Sequence, residues 1–327
     1  MIIAEVGSVH DGSLGNALNL IKSASQCGAD VVKFQTHIGK LESTTNAPNP
    51  PYFNEESRVE YFDRTSFKPK EWKKLKNECI KNNVKLLSSP FSIEAVDFLE
   101  ELNLGFYKIP SGEITNLPLI EKTASLNKFV ILSSGMSSWR ELDKAVEILR
   151  SHKTKFNIMQ CTSIYPCPYN KVGLNILHEL KSRYKCDVGL SDHTAGISAG
   201  IAATILGATI IEKHFTFSKL MYGSDAKHSL EPSEFKQYAS LINEAREMLD
   251  NPIDKNNLED VADMKKIFQK SIYAKTDIKK GKHLSIGDLC FKKPDLGISA
   301  ANYKDVLGKK TVINISSDEL IENKHLK

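Results

Sequence analysis

Over roughly its first 245 residues the chain repeats one pattern: a short apolar run rich in β-branched residues, a polar or glycine-containing turn, then an amphipathic helical stretch. Eight such units can be counted. Strands are expected over Ile2 to Val6, Asp30 to Gln35, Lys85 to Ser88, Gly105 to Ile109, Phe129 to Ser133, Phe156 to Cys161, Asp187 to Ser191 and Thr209 to His214. Helices are expected to begin near Leu14, Pro69, Ile93, Leu117, Ser138, Val172, Ala195 and Ser233, with Ser92 and Ser138 as caps. Strict β-α alternation demands a parallel sheet, because parallel neighbours need a crossover. Eight units predict an α/β fold of the closed (β/α)8 type, a TIM barrel, with an open doubly wound sheet as the alternative.

The chain has 327 residues, more than such a barrel needs, so a second, smaller domain is expected. Hydrophobic residues at 41% and charged residues at 26% exclude collagen-like, disordered and disulfide-scaffold classes. The 44 basic residues against 40 acidic ones are too balanced for a nucleic-acid or membrane surface, which leaves a small anionic substrate open. Apolar stretches such as Ile201 to Ile211 fall short of a membrane span, and no export signal is visible at the N-terminus, so the cytoplasm is the expected address. The six cysteines are scattered without a CxxC pair and read as free thiols.

The connection from Thr36 to Lys68 is long for a βα loop and has Asn46-Ala47-Pro48-Asn49-Pro50-Pro51 at its centre. It reads as a lid or binding loop; a passive insertion is the plainer alternative. The expected division is a barrel over 1–249, a linker over 250–268 and a small mainly β domain over 269–327, with short runs at Ser271 to Ala274, Leu289 to Lys292 and Thr311 to Ile315. A domain that small is weak alone and is expected to dock on a barrel of its own or a partner subunit.

In such a barrel the site lies at the carboxyl ends of the strands. Those ends read Glu5; Lys33 and Gln35; Ser88 and Ser89; Lys108, Ser111 and Glu113; Ser133 and Ser134; Thr162, Ser163 and Tyr165; Ser191, Asp192 and His193; Glu212 and His214. Two lysines among hydroxyls suit a phosphate or a phosphorylated carboxylate. A Schiff base, or structural pairing with Glu5 or Glu212, stays open for the same lysines. His193 and His214 end the seventh and eighth strands, which are neighbours about 4.8 Å apart in a closed barrel, so they can share one divalent metal. His37, His152, His178, His283 and His325 read as solvent-exposed, whereas His10 and His228 lie in loops that could reach the site. Asp225 is a candidate acceptor for sugar hydroxyls.

Ile3-Ala4-Glu5-Val6-Gly7, Val32-Lys33-Phe34-Gln35-Thr36, Ser89-Pro90-Phe91-Ser92, Tyr107-Lys108-Ile109-Pro110-Ser111-Gly112-Glu113 and Ser133-Ser134-Gly135-Met136 resemble the sialic acid synthase family. So do Gln160-Cys161-Thr162-Ser163-Ile164-Tyr165-Pro166, Gly189-Leu190-Ser191-Asp192-His193-Thr194 and Ile211-Glu212-Lys213-His214-Phe215-Thr216. The tail resembles the antifreeze-like (SAF) domain that ends these enzymes. The resemblance implies condensation of phosphoenolpyruvate with an N-acylated amino hexose. N-acetylmannosamine, giving N-acetylneuraminate, is the first expectation. Legionaminic or pseudaminic acid synthesis from a diacetamido-trideoxy hexose is the alternative, and a Schiff-base aldolase a remote one. It implies Lys33, Gln35, Ser89, Lys108, Ser111, Ser133 and Ser191 around phosphoenolpyruvate, His193 and His214 on manganese or magnesium, and Glu5 or Glu113 moving a proton. Ser163 stands where the family often has asparagine; Tyr165 and Asp225 would contact the sugar.

The resemblance further implies a domain-swapped homodimer, in which the family's tail carries an arginine toward the N-acyl group. Here that stretch reads Lys292-Lys293-Pro294-Asp295, so Lys293 replaces arginine and lacks its planar fork. Val9-His10 likewise departs from the family's asparagine-histidine pair.

Overall fold

Eight parallel strands alternate with helices in the first part of the chain: β1 (Ile2–Gly7), β2 (Val31–Thr36), β3 (Lys85–Pro90), β4 (Phe106–Ile109), β5 (Phe129–Ser133), β6 (Phe156–Cys161), β7 (Val188–Asp192) and β8 (Ile210–His214). The computed structural model describes residues 1–49 and 56–327. They fall into two units, Met1–Asn251 and Pro252–Lys327. Ladders join the strands in the order β3-β2-β1-β8-β7-β6-β5-β4, and β3 and β4 lie alongside each other, which brings the sheet round into a near-barrel. The expected barrel is therefore the one observed, with strand ends shifted by one or two residues.

The period-2 alternation of the strands separates two cores. Outward-facing residues such as Ala4, Val6, Val32, Phe34, Val130, Leu132, Ile158, Leu190 and Ile211 pack against the helices. Inward-facing Ile3, Val31, Leu87, Ile131, Met159 and Ile210, with Phe106 beside them, make a dry plug across the barrel interior. That plug is a floor on which anything above must rest.

Ser92 and Ser138 cap helices Ile93–Glu101 and Trp139–Ser151, Ser138 as half of a capping box with Glu141. The sixth and seventh helices start later than expected, at Ile176 and Ser198. The connection after β2, expected to be a lid or binding loop, holds helices Gly39–Glu42 and Arg58–Thr65 on either side of its proline-containing centre. The second begins in a Ser57–Glu60 capping box. Pro50 and Pro51 of the proline-rich centre lie outside the described residues. No helix among the described residues is long and apolar enough to cross a membrane. All six cysteines are free.

The second unit pairs β9 (Ser271–Ala274) antiparallel with β10 (Leu289–Lys292) over its own small core, including Ile272, Ile278, Val306, Ile315 and Ile321. Thr311 to Ile315 does not form the expected strand; it contributes isolated bridges, Thr311 to Leu326 and Ile315 to Ile278. His325 is buried rather than exposed, its Nδ1 accepting from the Glu322 backbone. The stretch expected as a linker contains helix Ala262–Phe268.

Candidate active site

Two residues beyond each position of the apolar floor, the same inward faces change character. Ile3, Val31, Leu87, Phe106, Ile131, Met159 and Ile210 give way to Glu5, Lys33, Ser89, Lys108, Ser133, Cys161 and Glu212, and β7 adds Ser191 opposite Glu212. All eight are buried. One further step along the strands brings Gln35, Phe91, Ser163, His193 and His214. Above this ring lies a cavity of about 370 Å³.

Four buried charges alternate at its base. Lys33 Nζ stands 2.9 Å from Glu5 Oε2 and 3.7 Å from Glu212 Oε1, and Lys108 Nζ meets the same Glu212 oxygen at 2.5 Å. Burial works against the Glu212 carboxylate, yet Lys108 and Lys33 outweigh it and hold it at about 2. Glu5 is pushed upward, by burial first and by the neighbouring Glu212, against the pull of Lys33. Burial lowers Lys108, helped by Lys33 and opposed by Glu212, whereas for Lys33 the two carboxylates overcome burial and raise it. Glu212 Oε2 is buried without a hydrogen-bond partner.

Hydroxyls crowd the same floor. Lys33 donates to Ser89 Oγ at 3.4 Å, and Ser191 donates to Glu212 at 3.2 Å. Ser111, Ser133 and Ser163 line the wall. A Cβ on Gly135 would lie 2.6 Å from both Ser111 Oγ and Ser163 Oγ, so glycine lets the backbone just after β5 approach these two hydroxyls without displacing them.

His193 and His214 face each other with ring centroids 5.7 Å apart. His214 Nδ1 is buried without a partner, and burial pushes this imidazole down to about 4, so it is neutral. His193 Nδ1 contacts the Thr162 carbonyl at 3.0 Å, which turns Nε2 toward Tyr165 Oη at 3.3 Å and Ser191 Oγ at 3.4 Å. Two imidazoles, one fixed by a backbone carbonyl and one neutral with an orphaned nitrogen, fit a divalent metal. Among the described residues no three His, Cys, Asp or Glu side chains converge for an ion, so the protein would supply two ligands. Cys161 lies 3.9 Å from His193 Nδ1; burial would raise its thiol, but His193 and Lys108 bring it to about 6.

The mouth is built by loops. Gly7 has φ +54°, and a Cβ there would collide with the Asp225 carboxylate, so the end of β1 makes room for Asp225 from the loop after β8. Arg58, Tyr61 and Phe62 of the inserted helix line it as well. That helix is fastened through Arg64, which donates to Asp11 Oδ1 at 2.6 Å and to Glu56 Oε1 at 2.6 Å.

A family model described as the NeuB family matches residues 20–255, and one described as the SAF domain matches residues 269–327. The chain belongs to the NeuB family. It is similar over 329 residues, at 43% identity and covering 98% of each chain, to the N,N'-diacetyllegionaminic acid synthase of Campylobacter jejuni subsp. jejuni serotype O:2. It is 31% identical to the human N-acetylneuraminate-9-phosphate synthase over 326 residues, covering 98% of this chain and 90% of that one. The crystal structure of the N-acetylneuraminic acid (sialic acid) synthetase of Leptospira borgpetersenii serovar Hardjo-bovis, in complex with citrate, superposes with a TM-score of 0.72 at 31% identity. That match covers 80% of this chain and 89% of the other. A barrel followed by an antiparallel SAF domain, as the sequence implied, is thus the architecture of this NeuB-family enzyme.

Most residues expected at the NeuB-family site converge in the cavity: Glu5, Lys33, Gln35, Lys108, Ser111, Ser133, Ser163, Tyr165, Ser191, His193, His214 and Asp225 line it. Ser89 lies just beneath, in reach of Lys33. Three others stand apart. Glu113 does not line the cavity; its carboxylate accepts from Asn116 Nδ2 at 2.7 Å. His10 is buried outside the lining, against Phe67 at 4.5 Å. Lys293 belongs to the second unit, where its ammonium sits 4.6 Å over the Phe268 ring. Conversely, His37 is not solvent-exposed as expected: it is buried and lines the cavity with Arg58, Tyr61, Phe62 and Phe91. The Ser57-x-x-Glu60 box was the signal that could have revealed the helix carrying three of these.

Proposed function

We propose that this NeuB-family enzyme condenses phosphoenolpyruvate with an N-acylated amino hexose, giving a nine-carbon nonulosonic acid and phosphate. The observation that carries the reading is the cavity base, where two buried lysines share carboxylates with an unpartnered oxygen among five serine hydroxyls. Lys33 and Lys108 bind the carboxylate and phosphate of phosphoenolpyruvate, and Ser89, Ser111, Ser133, Ser163 and Ser191 with Gln35 donate to the remaining oxygens. The methylene carbon then attacks the aldehyde carbon of the open-chain sugar. Water adds to the resulting oxocarbenium carbon, and the tetrahedral adduct expels phosphate by C–O cleavage. Glu5, whose carboxyl is raised toward neutrality, holds and returns the proton for the water step. Glu113, expected as its alternate, stands outside the cavity and is given no part. Manganese or magnesium on His193 and His214 would supply Lewis-acid polarisation of the sugar's aldehyde oxygen.

For the acceptor, the 43% identity to a diacetyllegionaminic acid synthase favours a diacetamido-trideoxy hexose over N-acetylmannosamine, the first expectation from the sequence. The mouth supports this choice. Phe62, Phe91 and Met136 offer apolar surface for the methyl groups of such a sugar, and Arg58, which makes no hydrogen bond or ion pair among the described residues, offers a fork to an amide carbonyl. Tyr165 and Asp225 meet its hydroxyls. A homodimer and a cytoplasmic address complete the reading.

Phosphate release from phosphoenolpyruvate, measured with both sugars and with manganese or chelator, tests it. Metal-dependent release, faster with the diacetamido sugar, is expected. Release only with N-acetylmannosamine reverses the acceptor assignment, and chelator-resistant turnover with borohydride trapping replaces the mechanism with a Schiff-base one.

A further inference from the structure

We infer that His37 is a positioning residue for the reaction proposed above, on which the inference rests: it sets the side chain of Gln35, and through it Glu5, as the inserted helix seats on its ring. His37 follows β2 and lies flat between Phe62 of the inserted helix, at 3.8 Å and 13°, and Phe91 beyond β3, at 4.1 Å and 22°. Two parallel phenyl faces leave the imidazole no room to turn. Its edges carry the polarity. Nδ1 meets Glu42 Oε2 at 2.7 Å, and Nε2 meets Gln35 Oε1 at 2.8 Å. Gln35 Nε2 then donates to Glu5 Oε1 at 2.8 Å.

The direction of this chain follows from donor and acceptor chemistry. An amide has one NH2 end and one carbonyl end. In its carboxylate form, paired with Lys33 through Oε2, Glu5 only accepts at Oε1, so the NH2 faces Glu5 and the carbonyl finds a donor on the other side. His37 Nε2–H is that donor, and by the same rule His37 Nδ1–H donates to Glu42 Oε2, so both ring nitrogens donate in this arrangement. Were the ring absent or free to rotate, Gln35 could turn half-way about its last torsion and aim its carbonyl oxygen at Glu5. That leaves Glu5 to Lys33 alone, unfixed about its own axis. Glu42, in turn, is anchored by the backbone N–H of Ile38.

The clamp joins two ends of the site. Phe62 belongs to the helix that brings Arg58 and Tyr61 to the cavity mouth, whereas Glu5 stands at its base. One ring therefore links acceptor-side docking to the group that moves the proton.

A double-mutant cycle tests this. His37→Phe keeps the aromatic stack and removes both hydrogen bonds. It should lower kcat 10- to 100-fold, the scale of a misplaced catalytic group, with a smaller rise in KM for phosphoenolpyruvate, to whose oxygens Gln35 also donates. In a Gln35→Leu background the same change should cost nothing further, because its route is already cut. Losses that multiply in the double variant, or a change confined to KM, overturn the inference. A second arm does not depend on the reaction: in the 15N-labelled protein without substrate, the Gln35 side-chain amide signal should move in His37→Phe and in Phe62→Ala, which keeps the histidine but opens one face of its clamp. An unmoved signal in both overturns the positioning role. A wild type that releases phosphate with no sugar overturns the functional reading instead, and the amide signal still decides the role of His37.

Discussion

Glu212 and Lys213 are adjacent on β8, both buried and both charged, and they differ in how completely they are satisfied. Lys213 points away from the cavity and is closed on every side. Its Nζ reaches the Thr194 carbonyl at 2.5 Å, the Gly196 carbonyl at 3.1 Å and Asp192 at 3.1 Å. Asp192 in turn accepts from Tyr238 Oη at 2.9 Å and from both the backbone and hydroxyl of Thr194 at 2.8 Å. Glu212 points inward. It pairs with Lys108 and Lys33 through one oxygen and leaves the other without a hydrogen bond. A buried charge without its full set of partners is costly, and a fold retains one where a ligand completes the set. The closed cluster fixes the loop after β7 to the barrel; the open one turns Lys33 and Lys108 toward the cavity for an anionic substrate and leaves a Glu212 oxygen for a donor such as a sugar hydroxyl or the attacking water.

The largest effect that would break this contrast is on stability. Lys213→Met strands Asp192 as an uncompensated buried charge, and a loss of about 3–5 kcal/mol in urea unfolding is expected. A loss under 1 kcal/mol would mean the outer cluster is not closed as described. A smaller effect sharpens the contrast at a third buried group. His10 accepts from the Gly12 backbone at 3.1 Å and packs against Phe67 and Phe34. Burial lowers its imidazole to about 4, and Asp11 and the Gly7 backbone only partly oppose that. Its folded value lies below its unfolded one. The stability it contributes is therefore fully present above about 6.5 and declines as pH falls toward 4, by about 3 kcal/mol in all. In His10→Asn the slope of unfolding free energy between those pH values should flatten relative to wild type; an unchanged slope assigns the titration elsewhere.

The comparison also explains what could be read before the fold was known. Strand positions were legible because each depends on neighbours two to four residues away, as at Phe129–Ser133, where expectation and structure coincide. The polar ring was legible for the same reason: Glu5, Lys33, Ser133 and Glu212 lie two residues past apolar strand positions. Pairing was not. That Lys108 shares a Glu212 oxygen with Lys33 depends on where three different strands place their ends around a closed sheet. His37 read as a loop histidine because Phe62 and Phe91, which bury it, are remote in sequence. Thr311 to Ile315 has strand-like residues, yet a unit so small satisfies its backbone by single bridges, including 311 to 326 and 278 to 315.

The most direct test of the open cluster is a calorimetric titration of phosphoenolpyruvate into the wild type and into Lys108→Met, with thermal unfolding of both measured alongside. The wild type should bind one phosphoenolpyruvate per chain. The variant should bind it at least tenfold more weakly, a loss of about 1.4 kcal/mol or more, while staying folded and losing less stability than Lys213→Met, because Lys33 still faces Glu212. Equal affinity in the two proteins, or a variant that loses binding only because it unfolds, would contradict the account.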